Sequence, residues 1–563
     1  MTADTLRPRN APLRLFTLLL AGLLAACGAQ SSSDPATPAP SASSGQVAAS
    51  SGASAVTQYA ASRFAEQASF GAKPALVAEI RQKGFEQWID EQFLLPASTI
   101  DPTPLLGFVE PIPQDDWRRY RAAFPDIAIG AADQLRIRVS WALSQFLVVS
   151  DRKVDIVGAL YWINFLQRQS LGNYSDLLYQ LSIHPAMGIY LDNNQNRPKS
   201  AECPNCAPNE NFARELMQLF ALGVVRLNAD GTPQRDGRGA FIETYKQKDV
   251  EELARVLTGW TIDPVPASRP NRNYANWARP MVPSTWPPER DSGVKLVLGR
   301  SFPAGQSQAR DLADAVALLM SHPNIAPFVS TRLIQHLVKS NPSPAYVGRV
   351  AARFRDNGQG VAGDMKAVVK AVLLDTEARA GDRPGGGRAD DGKLREPFLH
   401  LTAVWRGLGC TRVPTLSYGP NLPQGQMPIG AESVFSFYAP TDRAPGSNLL
   451  APEQKIVNAS EFQSRLNLTY GMRWDNGLPQ PSLTAMLSAG CGVDTLAQAY
   501  AASPAAFLAQ LAERFFRGTM PPTLRNDIEQ LIRQPQWDVN LPEEGALRML
   551  DYALTSPYFG AMK

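Results

Sequence analysis

Two carboxylates and a guanidinium lie close together in Asn209-Glu210-Asn211-Phe212-Ala213-Arg214-Glu215. Paired carboxylates can divide general acid from general base work, as in glycosidic bond hydrolysis, where the two groups stand about 5–9.5 Å apart. An arginine beside them can clamp an anion. Glu210, Arg214 and Glu215 are therefore the candidate catalytic set. Asp192, Asn193 and Asn194 upstream, Asn209, and Asp249, Arg255 and Trp260 downstream are the candidate substrate- or partner-binding set. The same residues also read as architecture. Glu210 stands four residues before Arg214, and Glu251 four before Arg255, the favourable order for helix ion pairs. On that reading the polar stripe of the first helix pairs with Arg255 or Asp249 of the second, and the block is a structural keystone.

Other reactive groups are few. Asn228, Asp230 and Asp236 are oxygen donors at spacings a calcium loop could use, with Gly231 free to take positive φ. No glutamate closes that loop as a bidentate ligand, and Asp-Gly hairpin turns are the simpler expectation. No other metal or cofactor is expected. Of the four histidines, His184 and His322 precede proline, while His336 and His400 fall inside apolar helical patterns, so hydrogen-bonded structural roles are expected for them. Cys203-Pro-Asn-Cys206 could be a disulfide, a redox pair or half of a metal site, but no second such motif completes four thiolates. Cys410 and Cys491 are then left to pair with each other. There is no nucleophile elbow, Ser-His-Asp order, phosphate loop or dinucleotide fingerprint; Gly385-Gly386-Gly387 lies in a polar loop.

The elements that must position these groups are helical. Apolar residues recur at three- and four-residue spacings over 60–70, 73–93, 134–149, 156–169 and 174–183. The pattern returns over 309–320, 327–338, 346–355, 363–374, 396–408, 451–470, 504–517, 522–533 and 544–555. Asn209 to Gly223 reads as one helix, capped by Asn209 and stopped by Gly223, and 249–258 as another. The 46 Pro and 41 Gly interrupt these helices often. The expected fold class is all-α, a large multi-helix domain with long Pro/Gly-rich loops and few short strands, spanning 56–563 with a subdivision near 380–395.

The N-terminus sets the compartment. Arg7, Arg9 and Arg14 precede the apolar run Leu15 to Ala26, which is shorter than the roughly 20 residues a membrane span needs. Leu24-Ala25-Ala26-Cys27 resembles the bacterial lipoprotein box, in which the cysteine is lipidated and becomes the new N-terminus. Residues 1–26 are thus expected to be a signal peptide. Residues 27–55, rich in Ser, Ala and Pro, cannot bury a core and are expected to tether the lipid to the folded domain. Cleavage lowers the formal net charge from +3 to +1. That near-neutral balance excludes a polybasic nucleic-acid binder.

A resemblance follows from ordered blocks: Ala60 to Gly71, Leu135 to Val149, Gly172-Asn173-Tyr174, His184 to Asn194, Asn209 to Gly223, Leu257 to Trp260, Lys295 to Gly299, His322-Pro323 and Lys393 to Pro397. Together they resemble the bacterial family called domain of unknown function 1800. The resemblance implies an exported protein, often encoded beside a second exported family, domain of unknown function 1501, and no established activity. Two positions depart from the family pattern. Arg290-Asp291 stands where relatives commonly carry His-Asp, and Ser433 to Pro440 replaces a Pro-rich Gly-Trp segment. The expected function is that of a lipid-anchored envelope protein, held at the outer membrane and facing the periplasm or the cell surface. There it acts as a structural or assembly partner of another exported protein, the family of domain of unknown function 1501 being the first candidate. The alternative is a hydrolase of envelope or extracellular polymer that uses the paired carboxylates.

Overall fold

The computed structural model describes residues 55–107, 114–264, 276–414, 424–471, 483–534 and 542–563. The expected signal peptide, Cys27 and the expected tether through residue 54 lie outside the described residues. The apolar spacing resolves into helices at most of the expected places: Gln58–Ala68, Gln134–Ser144, Ile156–Gln169, Tyr174–Ser182, Gln308–Ser321, Ile325–Leu337, Pro344–Arg355, Met365–Leu374, Pro397–Gly407 and Pro504–Phe515. Side-chain oxygens of Thr57, Asp155, Asn173, Ser307, Ser343 and Asp364 accept from first-turn amides, so many helix starts are written in the local sequence. Strands are confined, among the described residues, to three two-stranded antiparallel sheets of two or three residues per strand. The chain is all-α.

Several boundaries differ from expectation for local reasons. Residues 73–93 break into Pro74–Lys83 and Phe85–Gln92 because Gly84 takes φ +80°, a left-handed value that ends the first helix. A helix at Gln114–Gly130 carries Pro125 inside it, and that proline hid it from the periodic pattern. The helix expected over 451–470 begins only at Ala459, after a short 3₁₀ turn at Pro452–Lys455.

Residues 55–563 form one compact unit with two adjoining cores. The larger core centres on aromatic rings: Trp141 meets Phe398 at 4.6 Å and Phe124 at 5.7 Å between centroids, and Phe70 meets Phe124 at 6.1 Å. The second core gathers Trp405, Phe507, Leu511 and Leu550. The seam follows the Pro397–Gly407 helix, which turns Phe398 to one core and Trp405 to the other. Cys410 and Cys491 are bonded to each other at 2.03 Å within the second core, and Cys203 and Cys206 at 1.98 Å in a surface loop. The last residues close onto the domain: Lys393-Leu394 pairs antiparallel with Ala561-Met562, and Arg63 of the Gln58–Ala68 helix donates to the Lys563 carbonyl at 2.8 Å.

Candidate functional site

The sequence-selected residues sit on one face, built by the segment after His184. Nδ1 of His184 accepts from the Ala186 amide and starts the helix Pro185–Tyr190. Buried among Trp162 and Phe165, the imidazole is held neutral by burial, with a pKa of about 3. The chain then wraps back over the helix end, where the amides of Asn193 and Asn194 both donate to the Gly188 carbonyl. Asp192 and Gln195 take φ of +60° and +57°, uncommon for residues other than glycine. Asn196 pins this loop to the next elements: its Oδ1 accepts from Asn209 N at 2.7 Å, and its Nδ2 donates to the Asn209 and Ala254 carbonyls.

The segment expected as one α-helix from Asn209 to Gly223 is built differently. Asn209 Oδ1 accepts from Asn211 N in a turn before the helix, α-helix runs only over Asn211–Glu215, and a π-helical turn continues over Leu216–Ala221. The amide of Leu222 reaches back five residues to Met217 O, and the buried Tyr174 hydroxyl donates to Phe220 O at 2.6 Å. π-turns inside helices occur frequently at functional sites. Gly223 ends the segment at φ +72°, where a Cβ would press on the Phe328 ring.

The charged groups on this face are mostly closed on one another. Glu210 meets Arg214 at 2.8 Å as the four-residue spacing predicts, and both bond Gln247 of the helix Gln247–Val256. The bridge to the second helix therefore runs through Gln247, not through Arg255 or Asp249. Arg255 pairs with Glu252 at 2.7 Å and, through two nitrogens, with Asp291, whereas Glu251 pairs with Lys248. The Glu251 to Arg255 pair is thus replaced: a distant carboxylate offers two-pronged geometry that a neighbour on the same helix cannot. Asp249 accepts from the Lys246 and Leu298 amides, and Asp192 pairs with Lys153 at 2.5 Å and accepts from Asn211. Asn194 accepts from Ile262 N. Asn193 and Trp260 are buried, and the Asn193 Nδ2 and Trp260 Nε1 atoms have no hydrogen-bond partner.

Glu215 stands apart from this pattern. It is 6% exposed, and its Oε2 has no hydrogen-bond partner. Burial raises its pKa to about 7, only partly offset by the positive charge of Arg214. Its charge acts on Tyr190 and Tyr245, whose hydroxyls burial and this carboxylate push up to about 12. A carboxyl poised near neutrality can give or take a proton.

Asn228, Asp230 and Asp236 do not share a loop. Asp230 accepts from Thr232 N and Oγ1, Asn228 donates to Thr232 Oγ1, and Asp236 accepts from Arg238 N and Ala240 N. They form two turns of an arm spanning 224–245. In it Arg226 N donates to Ile242 O, Gln234 N to Arg226 O, and Ile242 N to Gln234 O, closing a ring of three passes at eight-residue intervals. Asn324 holds the base of the arm by donating to the Leu222 and Val225 carbonyls and accepting from Leu227 N. Arg290 donates to the Val256 and Thr258 carbonyls and pairs with the buried Asp311, which also meets Lys295 at 3.0 Å. Among the described residues no group of three or more His, Cys, Asp or Glu is placed to hold a metal ion.

A second ionic cluster lies deep between the cores. Lys393 Nζ meets Glu396 at 2.8 Å and Glu453 at 3.2 Å, all three buried. Gln426 donates to the other oxygen of Glu396. Burial alone would raise the Glu396 pKa, but the Lys393 charge brings it to about 2, while burial leaves Glu453 raised. Arg138, wholly buried, donates to His336 O at 2.7 Å, and burial holds the His336 imidazole neutral with a pKa of about 3. Sequence reasoning reached this place only through the block Lys393 to Pro397. The three-residue spacing of Lys393 and Glu396 was its one local signal.

A family profile described as protein of unknown function (DUF1800) matches residues 63–561. The chain belongs to that family. The DUF1800 match takes in both ionic regions, the arm and both disulfides. No curated protein and no solved structure matches this DUF1800 chain.

Proposed function

We propose that this protein is a lipid-anchored cell-envelope factor that binds or assembles another exported protein through the face around the arm. The observation that carries this reading is the mutual closure of the charged groups selected from sequence. Asp192, Glu210, Arg214, Asp249 and Arg255 are each engaged by a neighbour, so they brace a surface instead of lining an open cleft. Structural ion-pair networks are a common source of such patterns. The hydrogen-bonded arm that leads into the Gln247–Val256 helix presents Phe241, 51% exposed with Arg235 stacked on it at 4.1 Å. Arginine and aromatic residues are favoured interface anchors.

The test is crosslinked capture from envelope extract with the mature lipoprotein as bait, the neighbouring exported protein of the domain of unknown function 1501 family being the expected catch. Capture should fall at least tenfold with Phe241→Ser plus Arg235→Ser. Failure to capture that protein, or equal capture by the variant, sinks the proposal. The anchor has its own test: Cys27→Ser should move the protein from the detergent phase to the aqueous phase on phase partitioning. Glu215 favours a second reading, hydrolysis of an envelope or extracellular polymer. Polymer cleavage by the pure protein, lost in a folded Glu215→Gln variant, would establish it.

A further inference from the structure

The two disulfides occupy opposite environments. Cys410 and Cys491 are sealed in the second core, 0% and 4% exposed, and their bond joins residues 81 apart. The segments that carry them also hold each other by backbone, Thr411 N donating to Ala489 O and Gly492 N to Leu408 O. Cys203 and Cys206 are partly exposed, with Pro204 and Asn205 exposed between them, and their bond spans a separation of three residues. A bond that joins distant residues takes much freedom from the unfolded chain, and one that closes so short a loop takes little.

The loop that carries Cys203 and Cys206 is anchored without their bond. Asn196 ties its two ends together, Oδ1 accepting from Asn209 N at 2.7 Å and Nδ2 donating to Asn209 O at 3.3 Å. Arg197, the next residue, lies over the Trp286 ring at 5.7 Å. Beyond these anchors the hydrogen bonds turn inward: the Ser200 and Cys206 amides donate to Cys203 O, and Cys203 N donates to Ser200 Oγ. Neither sulfur-bearing residue belongs to a core. The bond is therefore within reach of an outside thiol and adds little to the fold, and exposed disulfides are the labile and catalytic ones.

We propose that Cys203–Cys206 is a thiol–disulfide exchange centre that passes its disulfide to cysteine pairs on other polypeptides, while Cys410–Cys491 is the structural bond. A thiolate of the incoming pair attacks one Sγ; a mixed disulfide forms as the Cys203–Cys206 bond breaks, and the displaced cysteine leaves as a thiolate and takes up a proton. The second thiol of the incoming pair then loses its proton and attacks its own partner's sulfur, which releases the remaining cysteine. Two electrons have moved: the incoming pair is oxidised, and Cys203 and Cys206 are reduced. A low-molecular-weight disulfide closes the cycle by reoxidising them and is itself reduced to two thiols. Because Asn196 and Arg197 hold the loop in either state, the cycle runs without unfolding the elements on both sides. The proposal is independent of the partner-binding reading.

The experiment mixes the oxidised mature protein with oxidised glutathione and a synthetic peptide that carries two reduced cysteines. The protein should speed peptide oxidation at least tenfold over glutathione alone. The double variant Cys203→Ser plus Cys206→Ser should lose that acceleration and keep the wild-type melting temperature. A second measurement needs no variant: brief dithiothreitol treatment of the native protein, then alkylation and peptide mass analysis, should label Cys203 and Cys206 at least tenfold faster than Cys410 and Cys491. The proposal is overturned by a wild type that gives no acceleration, a double variant that accelerates equally or no longer melts cooperatively, or two disulfides that open at the same rate.

Discussion

The Glu210–Arg214 pair and the Lys393–Glu396–Glu453 cluster both set glutamate carboxylates against a basic side chain at almost the same contact distances, 2.8 Å against 2.8 and 3.2 Å. Their surroundings differ. The first pair is 35–37% exposed and rests against a neutral glutamine. The second is sealed from solvent, and there the Glu396 pKa moves to about 2 while that of Glu453 rises. Water screens the first pair and leaves it worth less than about 1 kcal/mol. In the second, each charge depends on the others because none has water to fall back on. Contact distance is therefore a poor guide to which ion pairs carry stability in this protein, and desolvation is the better one. Glu215 lies between the extremes: buried like the deep cluster, placed on the face with the first pair, and given no partner for its Oε2.

This contrast can be broken or sharpened by mutation. The largest effect is expected from Lys393→Met, which leaves two buried carboxylates facing each other and should cost about 3–5 kcal/mol in urea denaturation. Adding Glu396→Gln and Glu453→Gln should recover most of it. If the single variant costs no more than a surface substitution, the contrast collapses. Glu215→Gln should act with the opposite sign and depend on pH. The folded-state pKa of Glu215 is raised from the ordinary 4.5 to about 7, so the wild type is at its best below pH 4.5 and loses that advantage as pH rises through 7. The variant should match wild type near pH 5 and exceed it by about 2–4 kcal/mol at pH 8. Paired denaturation curves at the two pH values read this directly, and a pH-independent difference would refute the assigned environment.

Smaller effects complete the series. Asn196→Ala removes the side chain that receives Asn209 N and bonds two carbonyls, and should cost about 1–3 kcal/mol by thermal melting. Arg214→Gln should cost less than about 1 kcal/mol, and less still in high salt. A loss as large as that of Lys393→Met would mean the front pair is far better shielded than its exposure shows.

How much was legible beforehand follows from where each signal resides. The Glu210–Arg214 pair was readable because a four-residue spacing brings two side chains together on any helix. Arg255 was readable as a paired charge but not its partner, since Asp291 arrives from another segment. The π-turn after Glu215 left no signature: Leu216 to Ala221 has an ordinary helical composition, and its widened turn accompanies a tertiary contact from Tyr174. Glu210 and Glu215 looked equivalent, yet one is half-exposed and ion-paired while the other is buried with an unmet oxygen. The deep cluster stayed hidden because Arg138, Glu453 and Tyr438 approach Lys393 and Glu396 from separate stretches of chain, each unremarkable in isolation.

By itself the sequence determined the family, the all-α class, most helix positions and the cysteines available for pairing. These rest on local rules: helix periodicity and capping act within a few residues, and ordered motifs persist along the chain. Tertiary structure alone decided which charges lose their water and which carboxyl is poised near neutrality. Desolvation depends on every atom packed around a group, and those atoms are brought there by folding from all along the chain.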